Sequence, residues 1–422
     1  MPSLESITAT DDQPQINIST DKPRFAIFTA VARYPTFRRL WLSAIAASLG
    51  QWMQSTALGW LALDLTDSKS FVGLVAFMAG IPFLLISVPA GVLIDRFDRR
   101  RVLMTSQALA ALLASLVAID VIAGSVAPWH LLVAAFLNGS LQAILSPAQQ
   151  SLVPRLVARD DLTNAVGLIS AGQNMTRIVG PSLAGAMIGF VGTGEAFLLQ
   201  AGALLLALWL VGTARFPGAP RTVLVGFGTM LDGFRIVAGR PDLRALFLLA
   251  AVPTFFVFPY ITFLTVFARD ILKIGPAGLG FLMAASGAGA VVGSLMVASG
   301  RRSKAAGRSL VLNCVVYGAV IATIAVSHSV YFTLPLLVIA GLLGANFMSA
   351  NNAILQHRIT DDVRGRVMGI YMLTFGLMPL GAMPMGLLAD RLGTPTAVAT
   401  GAVLSSLFTA GLGIASQTLR EI

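Results

Sequence analysis

The sequence predicts an all-α membrane protein with twelve transmembrane helices in two pseudo-symmetric six-helix bundles. Composition, run length and charge placement each point there. Of 422 residues, 56% are hydrophobic and only 11% charged, with a mean hydropathy of +0.81. A soluble domain carries about 25% charged residues, so a chain this long with so little charge must turn most of its surface to lipid. Apolar runs of about 20 residues recur along it, the length at which a helix crosses the hydrocarbon core with its own backbone satisfied. Lys and Arg collect in every second connection between these runs, as they do in cytoplasmic loops.

Taken in order, the first span is 40–64, closed by the loop that holds Lys69, and the second is 70–94, closed by the basic cluster from Arg96 to Arg101. Spans 102–123 and 129–153 follow, the latter ending at Arg155 and Arg159. Spans 163–191 and 194–214 lead into the longest connection, with five basic residues from Arg215 to Arg244. The second set begins with 243–268, then Arg269 and Lys273, then 276–299 and a basic loop from Arg301 to Arg308. Spans 309–327, 331–356, 366–389 and 395–416 complete it, divided by Arg358 to Arg366 and by Arg391. Of 29 Lys and Arg residues, 24 fall on the side of the N-terminus, four on the other side, and one, Arg177, inside a span. That asymmetry predicts a multi-pass protein of the plasma (inner) membrane with both termini cytoplasmic. The expected organisation is a tail over 1–36, a bundle over 37–214, a linker over 215–242, a bundle over 243–416 and a tail over 417–422. Within the linker, Phe227 to Val237 reads as an amphipathic interfacial helix.

The same features exclude other classes. A net charge of +10 could suggest nucleic acid, but the charges sit in short loops and not along one soluble face. Cys314 is the one cysteine, so neither an intrachain disulfide nor a cysteine metal cluster can form. No nucleotide-binding signature appears, so ATP is not an expected partner, and no cofactor is implied. The polar leader over 1–24 is not a signal peptide.

An internal repeat supports the two halves. Gly91-Val-Leu-Ile and Gly293-Ser-Leu-Met lie 202 residues apart, and Trp129 and Tyr331 open spans at that same offset. Arg155 and Arg358 follow at 203. Two similar bundles place a solute site between them, near the bilayer midplane.

The most specific local pattern is Gly91-Val-Leu-Ile-Asp95-Arg96-Phe-Asp98-Arg99-Arg100-Arg101. Asp95 falls at a helix C-terminus, where the dipole disfavours an anion, so it calls for a basic or helix-N-terminal partner. A pairing that forms and breaks would make a cytoplasmic latch; the plainer reading is a positive-inside loop with one compensating acid. The segment resembles the signature loop of the major facilitator superfamily, Gly-x-Leu-x-Asp-Arg-x-Gly-Arg-Arg. Gly91, Leu93, Asp95, Arg96, Arg99 and Arg100 match, and Asp98 stands in place of Gly. Asn174-Met-Thr-Arg177-Ile-Val-Gly180-Pro181-Ser-Leu-Ala-Gly185 resembles the fifth-helix Gly-Pro motif of exporters in that superfamily. Arg364-Gly365-Arg366 and Pro147-Ala-Gln-Gln-Ser-Leu-Val-Pro154 resemble its siderophore-exporter and macrolide-efflux branch. The resemblance implies alternating access, export, and coupling to the proton gradient. One departure stands out: Ala135, four residues before Gly139, occupies the place of the relay Arg found in many proton-coupled exporters.

Polar residues at membrane depth mark candidate sites. Arg177 costs at least about 2.5–3.5 kcal/mol at a helix centre and should face the interior, bracing helices or meeting a solute. Gly180, Pro181 and Gly185 make its helix thin and bendable, suited to packing or a hinge. Amides stripe three spans: Gln51 and Gln54, Asn138 and Gln142, and Asn346 and Asn351, with Asn174 beside Arg177. Phe255, Phe256 and Tyr260 suggest an aromatic wall. Asp64, near an outer helix end with Asp120 and Glu195, is the candidate for proton coupling. The expected function is export of an amphipathic small molecule, with protons as a possible exchange partner. Uptake or uncoupled facilitation by the same fold is the alternative. An intramembrane enzyme lacks a deep nucleophile–base pair, and a scaffold that transports nothing would not need the polar stripes.

Overall fold

A computed structural model of the chain describes residues 28–214, 216, 227–298, 306–417 and 419, with the side chains of 87–96, 227–231, 298 and 361–362 outside that description. Residues 1–27 of the expected N-terminal tail, most of the linker and the basic residues Arg301, Arg302 and Lys304 lie outside the described residues.

The first bundle contains α1 (Thr29–Arg33), α2 (Pro35–Thr66), α3 (Lys69–Arg96), α4 (Arg99–Ile122), α5 (Pro128–Leu152), α6 (Leu162–Phe190) and α7 (Thr193–Thr213). Next comes α8 (Phe227–Gly239). The second bundle contains α9 (Pro241–Phe256), α10 (Tyr260–Val266), α11 (Gly275–Ala298), α12 (Ala306–Ala325), α13 (Val330–Arg358), α14 (Asp361–Leu373), α15 (Leu377–Leu392) and α16 (Thr394–Ala415). Counting α9 with α10, and α14 with α15, as single rods, the described residues form twelve rods of membrane-spanning length. Ten of them are apolar enough to cross a membrane by composition alone; the other two, α2 and α6, have 32 and 29 residues and carry polar stripes.

Rod ends follow from local chemistry. Pro35, Pro128 and Pro241 open α2, α5 and α9, where the missing N–H costs nothing and φ is already helical. Hairpins at matching places in the two bundles turn through left-handed backbone: Asp67 (φ 51°) and Lys273 (φ 55°), then Gly192 (φ 144°) and Gly393 (φ 84°). The sequence repeat is thus a repeat of structure, with α5 and α13 starting 202 residues apart.

Helix faces are inverted relative to a soluble protein. Beyond Val102 and Leu103 in its first turn, the buried face of α4 is small or polar, with Ser106, Gln107, Ala110, Ala111, Ala114 and Ala118. Leu109, Leu112, Leu116 and Ile119 stand more than half exposed on the other face. Lipid is as apolar as Leu, so small residues that let backbones approach hold the rods together.

The two bundles meet along α3 against α15 and α6 against α11. At the end opposite the termini they share one continuous core, in which Leu61, Leu63 and Val75 pack with Phe263, Leu264, Leu279 and Met385. Toward the termini the cores are separate, one around Phe37, Leu103 and Leu168 and the other around Leu246, Phe347 and Tyr371. The halves are joined at one end and apart at the other.

Spans expected as continuous over 243–268 and 366–389 are broken. The first breaks between α9 and α10, where Pro253 and Pro259 flank the gap and neither can donate a backbone hydrogen bond. The second passes through a short 3₁₀ turn, Thr374–Gly376. The expected amphipathic segment is α8, which lies along α14 with Gly233 beside Ile370.

Candidate functional site

Between the bundles lies a cavity of about 580 Å³. Gln51 and Gln54 of α2, Asn138 and Gln142 of α5 and Arg177 of α6 line its first-bundle wall, and Phe258, Thr262, Met348 and Phe375 face them. A second chamber of about 270 Å³ is lined by Asn174, Tyr260, Ser286, Ser294, Tyr317 and Ser349. Arg177, Phe258, Ile261, Met348 and Phe375 border both, so the two chambers are contiguous.

The polar residues divide by whether the protein already satisfies them. Gln200 donates to the Gln54 side chain at 2.8 Å, tying α7 to α2. Asn346 accepts from Asn313 at 2.9 Å, tying α13 to α12. Asn351, fully buried, donates to the Leu246 carbonyl at 3.3 Å and to the Tyr371 hydroxyl at 3.4 Å. Neither Asn346 nor Asn351 lines a chamber. Asn174 donates to the Ser170 carbonyl of its own helix at 3.0 Å. Gln51, Asn138 and Gln142, by contrast, border the large chamber with no hydrogen-bond partner among the described residues. Arg177 has no carboxylate partner among them either; its guanidinium lies 5.5 Å from the centre of the Trp52 ring. Gln51 is exposed and the other three are half-buried, so these four are open to water or a solute.

Arg177 is held in place by its helix. An alanine-like carbon at Gly180 would sit 2.6 Å from Trp52 Cβ, so α6 crosses α2 at van der Waals contact there. Pro181 removes the donor that would bond the Arg177 carbonyl, and that carbonyl lies against Gly287 of α11. Gly185 packs on Pro276 and Gly280 of α11. All three residues of the expected hinge therefore sit at helix crossings.

Of the expected aromatic wall, Tyr260 lines the small chamber, its hydroxyl 3.1 Å from that of Ser286. Phe256 points elsewhere and stacks on Phe408 of α16, ring centres 5.8 Å apart. Phe258 and Phe375 supply the wall instead. Both sit at the breaks in their rods, and Pro259 and Gly376 beside them were the available signal, since interrupted spans mark binding sites in transporters. Asp64 is exposed on the last turn of α2 and borders neither chamber.

The loop after α3 shows what the basic cluster does in this conformation. Gly91, Asp95 and Arg96 are on the final turns of α3, and their side chains lie outside the described residues. Asp98 has extended backbone (φ −62°, ψ 118°) and accepts the Arg101 N–H at 2.9 Å, making it the N-cap of α4. Capping thus explains its place in the motif. Arg99 donates to the Ser151 carbonyl at 3.1 Å and Arg100 to the Gly212 carbonyl at 2.6 Å, bracing α4 to the ends of α5 and α7.

The opposite end is sealed between bundles. Asp390 of α15 accepts from the backbone N–H groups of Lys69 and Ser70, each at 2.8 Å, and from the Ser68 hydroxyl at 2.9 Å. A carboxylate from one bundle so caps the N-terminus of α3 in the other, where the helix dipole favours an anion. Arg269 donates to the Leu63 carbonyl at 2.8 Å and pairs with Asp67 and Asp270. Sequence reasoning passed over Asp390, although Gly386-Leu-Leu-Ala-Asp390-Arg391-Leu-Gly393 carries in full the Gly-x-Leu-x-Asp-Arg-x-Gly spacing that the α3 loop matches save for its last Gly.

A family model described as transmembrane secretion effector, within the major facilitator superfamily, matches residues 28–422. The chain belongs to that family. Fellow facilitators include the staphyloferrin A transporter of Staphylococcus aureus, 24% identical over 83% of this chain and 89% of its own. The multidrug efflux pump Tap of Mycolicibacterium fortuitum is 28% identical over 83% and 88%, and macrolide efflux protein A of Streptococcus pyogenes 21% over 85% and 90%. Among solved structures, the nucleoside transporter NupG superposes with a TM-score of 0.72 at 15% identity, covering 92% of this chain and 99% of its own. An inward-facing, unoccupied bacterial homologue of the lysosomal transporter Spinster gives 0.71 at 15%, over 91% and 95%. This major facilitator protein is a multi-pass membrane transporter of small solutes and not an enzyme.

Proposed function

We propose that the chain exports an amphipathic small molecule across the bacterial plasma membrane by alternating access. The observation that carries this reading is the asymmetry of the core: shared at one end, split at the other, with the unsatisfied polar groups in a chamber between. The split end holds the start of α2, the end of α16 and, among the described residues, most of the Lys and Arg, which supports a cytoplasmic orientation and an inward-facing state. The names of the relatives, a siderophore transporter and two efflux proteins, favour export.

In the cycle that follows, a solute enters from the cytoplasm and meets Gln51, Asn138, Gln142 and Arg177 on one wall and Phe258 and Phe375 on the other. The bundles then rock about the α3–α15 and α6–α11 contacts. Asp390 leaves the α3 N-terminus, Arg269 releases Leu63 and Asp67, and the outer end opens. At the inner end Asp95, on the C-terminus of α3, engages the start of α14 with Arg364 and Arg366, the far end of the rod that carries Asp390. The described lining residues include no Asp, Glu or His, so an exchanged proton travels outside the chambers, with Asp64 its candidate carrier.

Purified protein in liposomes under an imposed pH gradient tests this. Candidate amphipaths should move from the face that carries the termini to the other, and Arg177→Ala should cut the flux at least tenfold. Asp64→Asn should remove any dependence on the gradient. Absence of flux for every solute, or labelling of cysteines at positions 69 and 391 from the same side as the tails, sinks the reading.

A further inference from the structure

We infer that the solute carries an anionic group, a carboxylate or a chemically similar oxyanion, seated against Arg177, with a flat apolar body in the larger chamber. The inference rests on the transport reading above and deepens it to a substrate class.

The charge inventory of the two chambers is one-sided. Arg177 borders both, and no other charged side chain borders either among the described residues. Its guanidinium lies over the Trp52 ring at 5.5 Å, and no hydrogen-bond acceptor among the described residues takes its five N–H donors. While the chamber is open to the cytoplasm, water and dissolved anions serve those donors. Alternating access requires the chamber to close, and an Arg stripped of water without a counter-charge is strongly disfavoured. A solute with its own anion removes that obstacle, a neutral solute leaves it in place, and a cationic solute adds repulsion to it. The bundle can therefore occlude readily only when an anion is aboard.

The surroundings divide as such a solute would. The small chamber on one side of Arg177 is lined by Tyr317 and Ser349 and by the paired hydroxyls of Tyr260 and Ser286, a hydroxyl-bearing wall suited to the second oxygen of a carboxylate or to hydroxyls beside it. Trp52 lines the large chamber, and Phe258, Phe375 and Met348 stand at the junction of the two, where they offer aromatic faces and a pliant thioether to a planar body. The unpaired amides Gln51, Asn138 and Gln142 ring the large chamber and tolerate varied polar substituents, because an amide both donates and accepts.

The test uses three probes with one naphthyl body: naphthalene-1-acetate, naphthalene-1-acetamide and 2-(1-naphthyl)ethylammonium. Binding to full-length protein in lipid nanodiscs is followed by titration calorimetry, with Arg177→Ala, Arg177→Lys and Trp52→Phe beside wild type. The acetate should bind wild type at least tenfold more tightly than the amide, and the ammonium most weakly. Arg177→Ala should erase the acetate–amide difference, while Arg177→Lys and Trp52→Phe keep most of it; an Arg that only braces α6 on Trp52 would give neither pattern. Equal or tighter binding of the amide or the ammonium, a preference that survives in Arg177→Ala, or no binding of any probe overturns the inference. The two readings fail separately: an anion preference without flux removes transport and keeps the site, whereas flux of neutral or cationic solutes unaffected by Arg177→Ala does the reverse.

Discussion

Two buried or half-buried asparagines that look alike in sequence have opposite assignments in space. Asn351 is fully buried and bonds α13 to α9 and α14, whereas Asn138 borders the large chamber without a partner. Interhelical hydrogen bonds in membranes average about 0.6 kcal/mol and reach about 1.7. Asn351→Ala should therefore lower the thermal midpoint in detergent, and Asn138→Ala should leave the midpoint alone while weakening solute binding severalfold. A midpoint that drops equally in both would erase the distinction between brace and lining. Asp98 gives a second residue-scale test. As the N-cap of α4, its replacement by Ala should cost about 1 kcal/mol, and by Gly only a few tenths, read as ordered shifts in the same melting curve. Cysteine chemistry is simple here, since Cys314 is fully buried and packed beside Thr409, leaving added cysteines as the reactive ones among the described residues.

The rods owe their crossings to missing side chains more than to large ones. A carbon added at Gly280 would stand 2.9 Å from the Pro181 carbonyl oxygen across the bundle interface, while one at Gly202 would meet nothing within 4 Å. Overpacking of this kind costs about 1–3 kcal/mol. Gly280→Leu should thus impair disulfide cross-linking between cysteines placed at Gly189 and Ala277, which adjoin at the α6–α11 contact, and Gly202→Leu should not. Rod positions themselves were legible in advance: every expected span coincides with a rod, because hydrophobic length and the basic loops both follow from the thickness and polarity of the bilayer. The breaks in the seventh and eleventh spans were not read, although Pro253, Pro259 and Gly376 were visible. Proline and glycine are common in membrane helices, and only the position of neighbouring rods shows which of them interrupts a helix.

At the scale of the molecule, the proposed cycle makes the seal around Asp390 decide which state is populated. Hydrogen bonds to a charged group contribute about 1.5–3 kcal/mol, and Asp390 accepts three of its bonds from the other bundle. Asp390→Asn should shift the population toward the outward-open state by tenfold or more. Spin labels at Gly124 and His328, on exposed hairpins of the two bundles at the sealed end, should then report longer distances. Labels at Asp160 and His357 at the split end should report shorter ones. Unchanged distances in both pairs would remove Asp390 from the gating machinery and leave it as a local cap.

Bilayer crossing, the number of rods, the sidedness expected from basic loops and the doubling of the fold all came from the chain read by itself, since each depends on composition or spacing along one dimension. The location of Arg177 within a span was equally plain. What surrounds it was not. Whether an amide is spent on a neighbour, as in Gln54 and Asn346, or left facing the chamber, as in Gln51 and Gln142, depends on rods that are distant in sequence and adjacent in space. The replacement of Phe256 by Phe258 in the chamber wall likewise depends on the three-residue break between α9 and α10, within which Phe258 lies. Hydrogen-bond satisfaction and rotation about a helix axis are properties of packing, and only the assembled bundles decide them.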